Sequence, residues 1–372
     1  MHRVLLLGAG KIGRMIVQLL SETEDYRVTV ADAQPMLLER FADSANVSRL
    51  VLDASDDRAV RTVARQHDSL ISALSFRFNP LLARLAVEAG VNYFDLTEDT
   101  QTTLRVRQAA EHAQPQRVVM PQCGLAPGFI SIVAQHLATD FDTLETVKMR
   151  VGALPQFPTN ALKYNLTWST DGLINEYCNP CDAIHQGQRV EVLPLEGLEH
   201  FSLDGVRYEA FHTSGGLGTL CDTLQGRVNE LNYKTIRYQG HRDLASFLIN
   251  DLKLNRRRGL LKEILEDAIP VTFQDVVVVF CSVTGQRHGQ LVQVNDARKI
   301  YSRSIDEEPW SAIQVTTASS VCAALDLWVA GDLTGEGFMR QEQIPLDKFL
   351  ANRFGRAFHC DAGTRYSSAF NI

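Results

Sequence analysis

At 372 residues the chain is long enough for two domains, and its 45% hydrophobic and 22% charged residues are ordinary for a globular enzyme. The formal charge of −7 argues against a nucleic-acid partner, whose phosphates call for a basic surface. No membrane partner is expected either, because the longest continuous apolar run, "VVVVFC" at 276–281, falls far short of the about 20 residues of a membrane span.

Residues 3–7 are apolar but run straight into a glycine turn, so they read as a buried strand and not as the core of a signal peptide. With no targeting signal visible, the expectation is a cytoplasmic protein. The one basic run, Arg256-Arg257-Arg258, sits among Lys253, Lys262, Glu263 and Asp267 and reads as a solvated face. Cysteines 123, 178, 181, 221, 281, 322 and 360 form no disulfide framework and read as free thiols. Cys178 and Cys181 make a C-x-x-C, but it lacks the second ligand pair of a zinc site and the leading strand of a thioredoxin motif. No metal is expected.

"RVLLLGAGKIGRMIVQLL" has the parts of a dinucleotide-binding unit in order. An apolar strand, Val4 to Leu7, enters Gly8-x-Gly10-x-x-Gly13, and an amphipathic helix follows from Lys11 to Leu20. Gly8 permits the tight turn, Gly10 lets a pyrophosphate approach the backbone, and Gly13 lets the helix pack on the strand. The pyrophosphate then meets the free amides around Lys11, Ile12 and Gly13. A second strand, "RVTVAD", ends in Asp32, whose carboxylate suits two ribose hydroxyls and repels a 2′-phosphate. Ala31 and Ala33 bring no positive charge, so NAD is favoured over NADP.

The alternation continues with strands at 49–55, 69–75, 91–96 and 117–123 and a helix at 81–90. This pattern predicts a Rossmann doubly wound parallel sheet, with ligands at the carboxyl ends of the strands. Asp53 and Ala54 then fall near the adenine, and Ala73, Leu74 and Phe76 along the path to the nicotinamide. "PQCGLAPGF" (121–129), with Gly124, marks an exit from that domain. Strands at 146–154, 190–195, 233–240, 275–285 and 290–296 predict an inserted α+β domain with a mixed or largely antiparallel sheet. Residues 312–333 read as a strand and then an apolar helix that rejoins the first domain. The expected division is 1–124 with 313–372 for the nucleotide and 125–312 for substrate binding and dimerisation.

A second glycine cluster, "AFHTSGGLGTL" (210–220), has neither the leading strand nor the following helix of a phosphate loop. Together with "GAGKIG", "CGLAPGF", "LKYNLTWSTDGLINEY" (162–177), "LNYKTIRYQGH" (231–241) and "EQIPLDKF", it resembles the saccharopine dehydrogenase (glutamate-forming) family. Within that family the chain is most similar to the lysine 6-dehydrogenases.

The resemblance implies an oxidoreductase acting on the CH–NH or CH–NH2 group of an amino acid, with a sheet domain that helps form a homodimer; a tetramer made of two such dimers is the alternative. In the lysine enzymes the C6 amine becomes an imine, which is hydrolysed to the semialdehyde. The second glycine loop would then face the substrate. An ammonium does not readily lose hydride, so a proton acceptor is needed; Asp95, Asp99, His212 and Tyr164 are the candidates. Lys163 is a poorer one. Arg237 suits the two-pronged grip on a substrate carboxylate. Trp168 would wall the aliphatic chain, with Thr213, Ser214 and Thr235 as hydroxyl donors and Gly124 beside them.

Saccharopine carries an extra dicarboxylate arm, for which the fungal enzymes place an arginine in the loop corresponding to "HTSGG". Here no arginine lies between Arg207 and Arg227, which favours the smaller lysine. The alternatives are saccharopine itself, a carboxynorspermidine dehydrogenase-like activity, and a catalytically silent NAD-binding regulator.

Overall fold

The computed structural model describes residues 1–42, 44–305 and 307–359, and the backbone of 370–371. Cys360, together with residues 361–369 and 372 of the expected C-terminal segment, lies outside the described residues. Two units are resolved: 1–129 with 316–357, and 130–315 with 358 onward.

In the first unit the strands are β1 (His2–Leu7), β2 (Tyr26–Asp32), β3 (Val47–Val51), β4 (Ser69–Ser72), β5 (Asn92–Asp95) and β6 (Val118–Met120). A seventh, Gly337–Phe338, pairs in parallel with β6. The order from that strand is β6-β5-β4-β1-β2-β3, all parallel. This is the doubly wound order that reverses beside β1. Val4, Leu5, Leu6 and Leu7 are buried without alternation, as a central strand covered by helices on both faces requires.

Four of these strands are shorter than the sequence predicts: β5 spans Asn92–Asp95 against 91–96, and β6 spans Val118–Met120 against 117–123. β3 stops at Val51, and β4 stops at Ser72 before a short turn of 3-10 helix at Phe76–Phe78. The helix Asn79–Ala89 follows and ends at Gly90, whose φ of 74° suits a glycine cap.

The predicted strand at the start of 312–333 does not exist. Ala312–Val329 is one continuous helix. Its β-branched residues, Ile313, Val315, Thr316 and Thr317, suggest a strand, but the start of the helix is fixed by other contacts. Ser311 and Gln314 form a reciprocal capping pair, and the carboxylate of Asp275 accepts the amides of Ala312 and Ile313. By length and composition the helix could cross a membrane, yet 72% of it is buried by protein, as expected of a core helix apolar all round.

In the second unit the strands are β7 (Thr143–Pro155), β8 (Cys181–His185), β9 (Gln188–Val192), β10 (Glu199–Leu203), β11 (Val206–His212), β12 (Val228–Tyr238), β13 (Asp275–Arg287) and β14 (Gln290–Tyr301). The main sheet runs β10-β11-β12-β7-β13-β14 and is antiparallel except for β12 against β7. Alternation along the strands divides it into two faces. Phe211, Tyr233, Thr235 and Arg237 point to one face, where Phe211 meets the rings of Tyr177 and His241 from the helical layer. His212, Lys234, Ile236 and Tyr238 point to the other.

Candidate active site

The first glycine loop is shaped by close approach. A Cβ on Gly8, at φ 109°, would lie 2.8 Å from the carbonyl oxygen of Ala73, and one on Gly13 would lie 1.9 Å from that of Gly8. Gly10 differs: its Cβ would meet nothing within 4 Å, so that side is open for a ligand. The N-cap of α1 (Lys11–Ser21) is Gly10, which makes no side-chain cap hydrogen bond, and the positive end of this helix adjoins the loop, where an anion is favoured. These residues fit a dinucleotide pyrophosphate.

Asp32 closes the loop from the end of β2. Its two oxygens accept the amides of Ala9 and Gln34, both at 2.9 Å. The carboxylate is thereby fixed beside the loop in a position suited to a ribose diol. Asp53 binds the amide and hydroxyl of Ser55 at 2.8 and 2.7 Å, and these bonds hold its carboxyl below the usual range. Ala54 is buried next to it. Ala73 bonds back to Leu7, Leu74 packs over Gly8, and Phe76 opens the 3-10 turn.

Asp95, a candidate proton acceptor, has a different job. It is fully buried at the end of β5, and it accepts three bonds, from the amides of Thr97 and Gln122 and the hydroxyl of Tyr93, each at 2.9 Å. Burial pushes its carboxyl up to about 6. With its oxygens so occupied, it ties β5 to the segment after β6 and is not placed to take a substrate proton. Asp99 is likewise engaged, capping the helix Thr100–Ala110 through the amide of Thr102. Gly124 belongs to a compact turn, its carbonyl accepting the amide of Phe129 at 2.9 Å. Gly128 is required there, because a Cβ on it would lie 2.0 Å from that carbonyl oxygen.

In the second unit Arg237 is 3% exposed. Its Nε donates to the Tyr177 hydroxyl at 2.8 Å, and its guanidinium carbon lies 5.0 Å from the Tyr164 ring centroid and 5.7 Å from that of Tyr177. The chain of bonds continues from Tyr177 to His241 Nε2 at 2.9 Å and from His241 Nδ1 to the Leu162 carbonyl at 2.7 Å. Burial and the Arg237 charge push His241 down to about 3, so the ring is neutral.

Beside this group the segment 164–168 is irregular and largely buried. Tyr164 Oη, Asn165 Oδ1 and Thr167 Oγ1 have no hydrogen-bond partner of good geometry, although Thr167 and Trp168 lie near the phenol. Buried polar atoms are ordinarily paired, so three in one short segment suggest a ligand. Burial raises the Tyr164 phenol, which therefore stays neutral. Trp168 is half-buried against the core of Tyr164, Leu166 and Tyr177. Thr213 Oγ1 is also buried and unpartnered, and the Ser214 amide bonds the Glu176 carbonyl. Thr235 is turned to its own sheet, donating to the Val151 carbonyl at 3.4 Å. Lys163 points away, to the Gln239 carbonyl. The second glycine loop lies on Tyr233: a Cβ on Gly216 would come within 2.3 Å of that ring.

His212 does not join this group. It is directly opposite Lys234 in the β11–β12 register and so lies on the sheet face away from Arg237. There it packs on Gly197, beside Lys234, which bonds Gly197 and Glu199, and near Arg150. Burial and the Lys234 charge push it down to about 4. It does not share a site with Tyr164 and Arg237. Asn165, Thr167, Tyr177 and His241 are additions that no local motif singled out, though all lie in the segments that carry the family resemblance.

A glycine loop opened for a pyrophosphate, on a doubly wound sheet with an acid closing the ribose position, defines a nicotinamide-dinucleotide-binding oxidoreductase fold. Family models agree on the kind. One described as the saccharopine dehydrogenase NADP binding domain matches residues 4–119, and one described as the saccharopine dehydrogenase C-terminal domain matches 124–356. The chain belongs to the saccharopine dehydrogenase family.

Among curated proteins it is 22% identical to the saccharopine dehydrogenase [NADP(+), L-glutamate-forming] of Saccharomyces cerevisiae, over 82% of this chain and 69% of that one. It is 21% identical to the mitochondrial alpha-aminoadipic semialdehyde synthase of Bos taurus, over 76% of this chain and 31% of that much longer protein. The solved apo structure of the Saccharomyces cerevisiae saccharopine dehydrogenase (L-Glu forming) superposes with a TM-score of 0.79 at 17% identity, covering 100% of both chains.

Proposed function

We propose that the protein is an NAD-dependent amino-acid dehydrogenase that oxidises the C6 amine of L-lysine. The observation that carries this reading is the set of Arg237 and the unpartnered, buried hydroxyls of Tyr164 and Thr167, packed on one face of the second sheet. A guanidinium held between two aromatic rings suits one amino-acid carboxylate. The neighbouring hydroxyls suit its ammonium group, and Trp168 suits the aliphatic chain. The nicotinamide, when bound, accepts hydride from C6. The chain's own part is to anchor the carboxylate end and orient the amine. Oxidation of the C–N bond gives the imine and a released proton, and water then yields ammonia and the semialdehyde.

Asp32 supports NAD over NADP, because its fixed carboxylate would face the 2′-phosphate. A second reading, saccharopine as substrate, is supported by the names of the relatives. The lack of an arginine between Arg207 and Arg227 speaks for the smaller amine. The test is formation of reduced nicotinamide from NAD with L-lysine and with saccharopine in parallel. Signal on lysine supports the proposal, and signal on saccharopine alone transfers it to the second reading. Tight NAD binding with silence on both, and on carboxynorspermidine, would favour a regulator.

We also propose a homodimer formed through the other face of the second sheet. Phe201, Tyr208, Tyr238 and Phe280 form a ring cluster there, and Tyr301, 52% exposed, extends it. Light scattering of a Tyr301→Asp/Phe280→Glu double variant should report a monomer; an unchanged mass would place the contact elsewhere.

A further inference from the structure

Among the buried polar atoms of the first unit that have no hydrogen-bond partner in the described residues are Thr97 Oγ1, Gln122 Nε2 and Gln341 Oε1. Thr97 is 1% exposed and Gln122 2%. Their positions are not independent. One oxygen of Asp95, Oδ1, accepts the backbone amides of both Thr97 and Gln122 at 2.9 Å each, so the two residues start from a single anchor. Gln341 joins them by donating from Nε2 to the Pro121 carbonyl at 2.8 Å, which leaves its own carbonyl oxygen unpaired. Gln122 also sits at φ 66°, a conformation that side chains other than glycine avoid unless their surroundings impose it.

This platform lies just past the carboxyl ends of β5 and β6. The glycine loop follows β1 and Asp32 ends β2, so the adenosine half of a dinucleotide belongs over β2 and β3. Its other half then extends across the carboxyl ends of β4, β5 and β6. The group at that end is a carboxamide on an aromatic ring, with one carbonyl acceptor and one NH2 donor. Gln122 Nε2 is a donor without an acceptor; Thr97 Oγ1 and Gln341 Oε1 can each accept.

We propose that Gln122 and Thr97 bind the carboxamide of the nicotinamide ring, Gln122 donating to its oxygen and Thr97 accepting from its nitrogen. These two contacts fix the rotation of the ring and therefore the face it presents. The assignment does not depend on which amine is oxidised.

The test uses the full chain and two near-isosteric variants, Thr97→Val and Gln122→Met. Calorimetric dissociation constants are compared for NADH and for ADP-ribose, which shares the rest of the dinucleotide but lacks the ring. Each variant should weaken NADH about ten-fold and leave ADP-ribose unchanged. Melting temperature without ligand should not fall in Thr97→Val, because Thr97 Oγ1 has no partner to lose. For Thr97→Val a further contrast applies: the wild type should prefer NADH to the reduced 3-acetylpyridine analogue, which has no NH2, and the variant should not. Equal losses for NADH and ADP-ribose, or unchanged NADH binding, would overturn the proposal. So would a melting temperature lowered by several degrees in Thr97→Val, which would mean that the hydroxyl is satisfied within the protein. If Gln122→Met fails to fold, Thr97→Val with the acetyl analogue decides alone.

Discussion

Arg237 and Tyr177 are joined by a 2.8 Å hydrogen bond whose direction sets the protons beyond it. The guanidinium can only donate, so the Tyr177 hydroxyl accepts and passes its own proton to His241 Nε2. That assigns the His241 proton to Nδ1, facing the Leu162 carbonyl. The arginine that we propose grips the substrate is therefore aimed by a chain of neutral groups, with the buried Glu176 nearby favouring its charged form.

Arg237→Lys should raise the KM for the amino acid by about 100-fold, since an ammonium cannot make the two-pronged contact or stack between two rings. Binding of NAD should be unchanged in a direct titration. A parallel loss of NAD affinity, or an unchanged KM, would count against the carboxylate role.

Thr167→Val replaces an unpartnered buried hydroxyl with a methyl group of nearly the same shape. The ligand-free protein should melt at the same temperature or higher, while KM for the amine rises roughly ten-fold. Steady-state kinetics and thermal denaturation on one preparation report both. A fall in stability with no change in KM would make the hydroxyl a structural group.

Asp32→Ala should remove the repulsion of a 2′-phosphate and the acceptors for the ribose hydroxyls together. The ratio of kcat/KM for NAD over NADP should drop by on the order of 100-fold. A ratio that does not move would assign cofactor choice to other residues.

The buried Asp95 should leave a signature in stability against pH. Its carboxyl is raised from 3.8 to about 6 in the native state, so between these values the folded protein holds a proton that the unfolded chain has released. Its contribution is complete below pH 4 and is lost as pH rises toward 6. In urea unfolding, Asp95→Asn should gain on the wild type across that interval and hold a constant difference above it. A difference independent of pH would show that Asp95 titrates normally.

What is legible in the sequence is what is encoded locally. The loop from Gly8 to Gly13, the strand before it and Asp32 after it lie in one short stretch, and each position has its own steric reason. His212 falls on the other face from Arg237 because of its register with Lys234, a pairing across the sheet that no local pattern announces. Arg237 and Phe211 share the opposite face for the same non-local reason. The start of the helix Ala312–Val329 is masked in the sequence, where β-branched residues outweigh a capping pair whose support comes from the distant Asp275. Thr167 and Gln122 could not be found at all: a missing hydrogen bond exists only once the fold has closed around it.

The most direct measurement is transfer of label from L-lysine deuterated at C6 to NAD, followed by mass spectrometry of the cofactor. One deuterium in the reduced cofactor, a semialdehyde product and little reduction by saccharopine under the same conditions are expected. Reduced cofactor without deuterium, or label transfer from saccharopine alone, would contradict it.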